Sequence, residues 1–239
     1  MYKLFIFSVP ELNYTKKDLN VAQSKNRRYI GLLARMVTNA IFLSHALRKN
    51  ITIRIFVQKI IPHIIQIQSE TIRYLGPEER SLASLLLKAE TVFKEEIAHG
   101  FISKDSTSWL EPNPGILVRV TENPLVNIEE FLEPPQTIVK IDSLTGNSHS
   151  TVEKTGNQKL SLKVFEEQLL TIAENYSSLI FPFDLSFLDN NQGKESSSKE
   201  KRNRSDPFQE YSLSLRKKIA PAQLVTIINL ILDKLEKKE

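Results

Sequence analysis

Few side chains in this sequence stand in a pattern that by itself does chemistry. Four histidines are present and no cysteine, so disulfides, thiolate metal sites and cysteine nucleophiles are excluded. His63, His99 and His149 have no acidic companion at ligand spacing, which predicts no metal site. The sequence contains no Walker-type loop, no Rossmann glycine fingerprint and no Ser-His-Asp pattern. What remains is a basic cluster and two polar spots. Arg27, Arg28, Arg35, Arg48, Lys49, Arg73 and Arg80 fall within a short span, and phosphate contacts made by such cations dominate affinity for nucleic acid. A solvated helix face would use the same residues. Arg80 follows Glu78 and Glu79, so a phosphate grip and a surface ion pair are both open to it. His45, after Ser44 near a predicted helix end, suits substrate binding or a helix-dipole contact. Asp184 closes an apolar run, where a carboxylate handles a proton or caps a turn.

Those residues need a scaffold. The chain has 239 residues, 41% hydrophobic, enough to bury a core as one domain with an insertion. Its net charge is +4, which permits an RNA partner without requiring one. No run approaches the ~18 apolar residues of a membrane span, and the opening Met1 to Phe7 is too short for a secretory leader. The expectation is a cytoplasmic protein with no membrane partner.

Periodicity predicts strands over 2–7, 51–57, 115–120, 137–141, 178–181 and 211–215, where β-branched and aromatic residues alternate or cluster. Helices are expected over 28–49, with Asn50 as the stop, from Pro77 to Gly100, over 162–176 and from Pro221 onward. A short helix is expected near Leu125 to Leu132, and the run from Ile60 to Gln68, interrupted by Pro62, stays open. Strands alternating with helical crossovers favour an α/β fold with a mostly parallel sheet. The stretch 189–206 has no apolar residue, so a flexible insertion is expected at 190–206.

Several segments together carry a resemblance. Asn39 to Lys49 (Asn-Ala-Ile-Phe-Leu-Ser-His-Ala-Leu-Arg-Lys), Ile72 to Ala83 (Ile-Arg-Tyr-Leu-Gly-Pro-Glu-Glu-Arg-Ser-Leu-Ala) and Pro114 to Arg119 (Pro-Gly-Ile-Leu-Val-Arg) resemble segments of the archaeal tRNA pseudouridine-54 N1-methyltransferases. So do Tyr211 to Ser214 and the closing Thr226-Ile227-Ile228 and Leu232-Asp233. That family belongs to the SPOUT class. The resemblance implies a parallel α/β sheet whose last segment is threaded as a trefoil knot, an exception to the rule that chains do not knot. It also implies S-adenosylmethionine bent in the knot, a tRNA substrate, and a homodimer around the knot helices. Such a dimer would cover the apolar stripe of the last helix; an intramolecular core would cover it equally well.

By the same resemblance, Ile141, Phe183, Tyr211, Ser212, Leu213, Ser214, Leu215, Arg216 and Leu224 would bind the cofactor. Asp184 would be catalytic, orienting the target base, and Arg28, Arg35, His45, Arg73 and Arg80 would hold RNA. The chain departs from the family pattern in its loops. Of a Gly-Asp-His signature only Asp184 is present, within Phe181-Pro182-Phe183-Asp184-Leu185, and a final-loop proline is replaced by Leu215. A His-Asn pair becomes Asn229-Leu230, and an Arg-Leu-Asp signature falls around Arg28 to Gly31 without its acid. Three readings follow: a methyltransferase acting on pseudouridine N1, a silent relative serving as an RNA-binding or dimerisation module, and a binder of some other small molecule in the knot pocket.

Overall fold

A computed structural model describes residues 1–20, 25–43, 46–58, 60–103, 108–130, 132, 134–142, 160–185, 209–215 and 219–236, without the side chains of 20, 25–29 and 142. The 190–206 stretch, Ser44, His45 and Arg216 lie outside the described residues. The elements run β1 (Tyr2–Val9), α1 (Lys16–Asn20), α2 (Lys25–Ile41), β2 (Ile51–Val57), β3 (His63–Gln68), α3 (Glu79–Ala98), β4 (Leu110–Asn113), β5 (Ile116–Val120), β6 (Gln136–Asp142), α4 (Leu162–Asn175), β7 (Ser178–Asp184), β8 (Gln209–Ser214) and α5 (Pro221–Glu236).

The strands form one sheet in the order β4-β5-β3-β2-β1-β7-β6-β8. From β2 to β8 the pairings are parallel, and β3, β5 and β4 extend the sheet with antiparallel pairs. The sheet is thus mostly parallel. Successive side chains in a strand point to opposite faces, and the two faces here are covered unequally. Phe5, Phe7, Ile53, Ile55, Ile65, Ile67, Leu179, Phe181 and Leu213 join one buried cluster with residues of α2, α3, α4 and α5. Leu4, Ile6, Ile138 and Ile180 face the other way and, among the described residues, form a smaller cluster with Ile128 and Leu132 of the chain segment before β6, with Tyr2 and Leu125 packed against it.

Several elements differ from the sequence pattern, each for a physical reason. Helix α2 ends at Ile41 rather than Lys49. There Phe42 and Leu47 form an antiparallel bridge, and Arg48 turns back so that Nη1 donates to the carbonyls of Asn39 (3.3 Å) and Phe42 (2.5 Å). Asn229 Nδ2 of α5 donates to the carbonyls of Asn39 (3.1 Å) and Ala40 (3.2 Å). The helix end is therefore capped by side chains from elsewhere, and Asn50 sits in a turn at φ 56. Strand β4 is not among the strands expected from periodicity; its Pro112 is tolerated because β4 is an edge strand. The helix expected near 125–132 is a single 3-10 turn, Ile128–Glu130.

The apolar stripe of α5 is an intramolecular core face. Leu224, Val225, Ile228, Ile231 and Leu232 are buried, α5 packs against α2 and α4, and Asp233 receives both Arg48 (3.1 Å) and the buried Lys3 (3.4 Å). The expectation that a second subunit covers this stripe is corrected accordingly. Arg48 belongs to this joint and not to a solvated cationic face.

Candidate active site

The carboxyl ends of β6, β7 and β8 carry Ile141, Phe183, Asp184 and the run from Ser212 to Leu215. Strand β6 pairs with β8 as far as Asp142 beside Ser214, and β1 pairs with β7 as far as Ser8 beside Asp184. Between them the β6–β7 ladder stops at Ile138 beside Ile180. The sheet is split at this edge, with 139–142 on one lip and 181–184 on the other. In open α/β sheets, ligands lie outside the carboxyl ends of strands, where neighbouring connections diverge.

The candidate cofactor residues divide between the faces. Leu213, Leu215, Phe183 and Leu224 are buried in the helix-side cluster, and Ile141 packs against it. Phe183 does not line an open cleft: its ring lies 5.6 Å from Phe7 and 6.5 Å from Phe5, in an aromatic stack that also includes Phe181. Tyr211 lies nearer the amino end of β8, where its hydroxyl is 3.2 Å from that of Tyr176. That hydrogen bond holds the Tyr176 hydroxyl above its ordinary range. Ser212 is exposed and Ser214 half-buried, both pointing away from the helices. Asp184 is also exposed on that helix-free face.

A ligand at the split would meet apolar side chains beneath and backbone edges at the lips. That arrangement fits the adenosine part of S-adenosylmethionine, whose flat apolar faces and polar edges need such surfaces. Lys140 on the 139–142 lip is paired with Glu210 at 2.7 Å, so its charge is compensated beside the position a sulfonium would take.

The arginines expected to hold RNA lie elsewhere. Arg35 of α2 pairs with Glu79 of α3 at 3.1 Å, both about half exposed. Gly31 permits the approach, since a Cβ there would stand 3.0 Å from Glu79 Oε2. Arg80 reaches the Leu19 carbonyl at 3.5 Å. Arg28 lies on the same helix as Arg35, about two turns ahead of it. Arg73 is exposed in the loop before α3. Arg35 and Arg80 thus sit on the helix layer, whereas Asp184 faces the opposite way.

A family described as "Putative SAM-dependent RNA methyltransferase" matches residues 5–141, more than half of the chain. The chain belongs to this family. Two curated relatives are each named tRNA (pseudouridine(54)-N(1))-methyltransferase. One, from Haloarcula marismortui, is 34% identical over 70 residues, 29% of this chain and 34% of the relative. The other, from Methanococcoides burtonii, is 38% identical over 60 residues, 24% of this chain and 30% of the relative. The chain thus spans about a third of the length of the curated relatives it matches. The family match covers β1 through most of β6; of the candidate cofactor residues, only Ile141 falls within it.

Residues of this family member that spacing did not flag also bear on chemistry. His63 and Glu90, far apart in sequence, meet at 2.6 Å through Nε2 and Oε1, with His63 Nδ1 2.7 Å from the Ile61 carbonyl. Burial alone would raise the Glu90 carboxyl, but the His63 hydrogen bond and charge, with Lys94, outweigh it and hold the group below 4.5. This pair lines a largely apolar cavity of about 270 Å³ with Leu12, Phe93 and Ile97. The volume lies just under the ~300–1,000 Å³ of drug-sized sites. Only the fold could reveal the pair, because its members are 27 residues apart.

Proposed function

We propose that the protein transfers a methyl group from S-adenosylmethionine to N1 of a pseudouridine in tRNA, in the cytoplasm and without a metal. The observation that carries this reading is the family match over residues 5–141, joined to the names of the two relatives. The split carboxyl edge between β6 and β7 supports it by offering a ligand position of the expected kind. When bound, the cofactor supplies the sulfonium methyl group. The chain's own residues hold the two reactants in line and exclude water, which together account for much of the rate in such transfers.

The backbone lips at 139–142 and 181–184, with Ser212 to Leu215 and the start of α5 at Leu224, hold adenosine in this reading. Asp184, exposed beside Ser8, accepts or stabilises the proton on pseudouridine N1. Arg28, Arg35, His45, Arg73 and Arg80 contact phosphates of the tRNA away from the reacting base, and Tyr211 and Arg216 belong with the cofactor-binding segment.

The knot belongs to the same proposal. Strand β6 is followed in sequence by β7 but flanked in space by β8 as well. Leu160, at the end of the connection out of β6, bridges Leu215 where the chain leaves β8, its N–H donating to the Ser214 carbonyl at 2.7 Å. A connection that comes back to the exit of β8 is the arrangement a threading loop needs. Homodimerisation is proposed through the exposed Leu230 of α5 and Leu162 and Val164 of α4, and sedimentation tests it.

Calorimetry with S-adenosylmethionine and its demethylated product, followed by mass analysis of a pseudouridine-containing tRNA, tests the function. Micromolar cofactor binding and a mass gain of one methyl group on that tRNA are expected. Absence of binding by correctly folded protein would remove the enzyme reading.

A further inference from the structure

Arg119 ends the Pro-Gly-Ile-Leu-Val-Arg segment, whose other residues the fold explains. Pro114 and Gly115 make the turn between β4 and β5, the carbonyls of Pro114 and Gly115 accept Arg73 N–H and Gln68 N–H at 3.3 and 3.2 Å, and Ile116 and Val118 enter the core. Arg119 points the other way, to the helix-free face. It is 8% exposed, makes no hydrogen bond or ion pair among the described residues, and its Nε is buried without a partner. Its guanidinium carbon stands over the ring of Trp109, 5.7 Å from the centroid. Trp109 is only half-buried, and Arg54 lies 5.9 Å from the same ring.

That is an unusual place for a cation. Buried charges are ordinarily paired, and a cation–π contact offsets only part of the desolvation of a guanidinium. Arg54 adds a second positive charge beside it. Arg54 is fully buried and anchored: Nε donates to Gln66 Oε1 at 2.8 Å, and Nη1 donates to the Pro124 and Val126 carbonyls at 2.8 and 2.6 Å. Burial first, and the nearby Arg119 charge second, lower the Arg54 guanidinium to about 10, against the opposing influence of Glu130 and Glu129. Two arginines are therefore held together against their repulsion, and among the described residues no anion pairs with Arg119.

We propose that Arg119, with Arg54 and Trp109 beside it, forms a binding site for a phosphate oxyanion on the helix-free face. A guanidinium presents a planar fork that matches phosphate oxygens, and Trp109 beside it is only half-buried. The position is informative. Asp184 pairs with Ser8, Ser8 with Phe56, Phe56 with Ile64, and Ile64 with Arg119. Residues paired across a sheet share a face, so Arg119 and Asp184 stand in one row near the carboxyl edge, four strand spacings or roughly 19 Å apart. An RNA strand with one base at Asp184 would lay a backbone phosphate along that row. This RNA form of the proposal rests on the tRNA reading above; a free phosphate would be bound by the same chemistry.

The test uses the full chain and its Arg119→Met and Arg119→Lys variants. Melting is followed in chloride and in inorganic phosphate at matched ionic strength, and binding of tRNA and of a short single-stranded RNA is titrated at two salt concentrations. Wild type should bind RNA, and Arg119→Met should lose roughly 10- to 100-fold in affinity with a salt slope shallower by about one. In chloride Arg119→Met should melt no lower than wild type, because it removes an unpaired buried charge. Arg119→Lys, which keeps the charge without the fork, should fall between. Stabilisation of wild type, but not Arg119→Met, by inorganic phosphate alone would identify a free anion as the source; RNA binding that depends on Arg119 without a phosphate effect would identify the nucleic-acid backbone. RNA affinity and phosphate response both unchanged in Arg119→Met would overturn the site, as would a wild type responding to neither ligand. An Arg119-dependent phosphate response in a protein that binds no S-adenosylmethionine would leave the site standing and remove the enzyme reading instead.

Discussion

On the helix-covered face of the sheet, inward strand positions are mostly apolar, and the polar side chains of Lys3, His63, Thr137 and Asn113 meet Asp233, Glu90, the Gln209 carbonyl and Lys88, although Asn113 Nδ2 has no partner among the described residues. The helix-free face is built differently. It has a small apolar patch around Leu4, Ile6 and Ile180, and beyond it stand Arg54, which donates to Gln66 and to the Pro124 and Val126 carbonyls, Lys140, paired with Glu210 at 2.7 Å, and Arg119, Ser212 and Asp184. The contrast teaches where to look for function. The first face gives nearly all its buried polar groups partners because water cannot reach them, whereas the second carries the buried Arg119, which no hydrogen bond or ion pair among the described residues accounts for.

Four substitutions test how the two faces are held. The largest effect is expected from Gly115→Ala. Gly115 has φ +78, and a Cβ there would come 2.3 Å from the Ile72 nitrogen, so the 68–73 loop would have to lift. A loss of about 3 kcal/mol or more is expected in urea unfolding, and a loss under about 1 kcal/mol would show that the loop yields freely.

Next comes Asp233→Ala, which leaves Lys3 buried on the helix-covered face and Arg48 without its carboxylate. Glu236 also reaches Lys3 at 3.1 Å, so the expected loss is moderated to about 3 kcal/mol. Asp233→Asn, which still accepts hydrogen bonds, should cost less. If the two variants unfold at the same denaturant concentration, charge is not what the joint depends on.

The third change reads the His63–Glu90 pair through pH. Because the folded Glu90 carboxyl lies below its ordinary 4.5, its contribution to stability is present above that value and is lost as pH falls through the lower folded one. Stability measured from pH 6 downward should therefore drop more steeply in wild type than in Glu90→Gln. Parallel curves would exclude the pair as a source of acid sensitivity.

The smallest effect is expected at Tyr74, which is 80% exposed at φ +63. Ser81 Oγ bonds the Tyr74 carbonyl at 3.3 Å and the Gly76 N–H at 2.8 Å, which holds the left-handed turn. Tyr74→Gly relieves the backbone but frees the unfolded chain, so melting should shift by no more than about 1 kcal/mol in equivalent stability. A large loss would place Tyr74 in packing that its exposure denies.

The α/β class, the strand at 51–57, all but the first residue of the one expected at 115–120, and the long helices α3, α4 and α5 were legible in the chain, because these depend on local periodicity and on turn residues such as Pro221 and Gly115. The sequence also carried the family resemblance that the match over 5–141 bears out. Tertiary structure decided the rest. Helix α2 stops at Ile41 because Arg48 and Asn229, the latter 189 residues beyond Ala40, take its last carbonyls. His63 meets Glu90, Phe183 turns into an aromatic stack, and Arg119 is left buried beside Arg54 only because strand order and register bring them there. Pairing across a sheet depends on which strands become neighbours, and no local pattern in the chain encodes that choice.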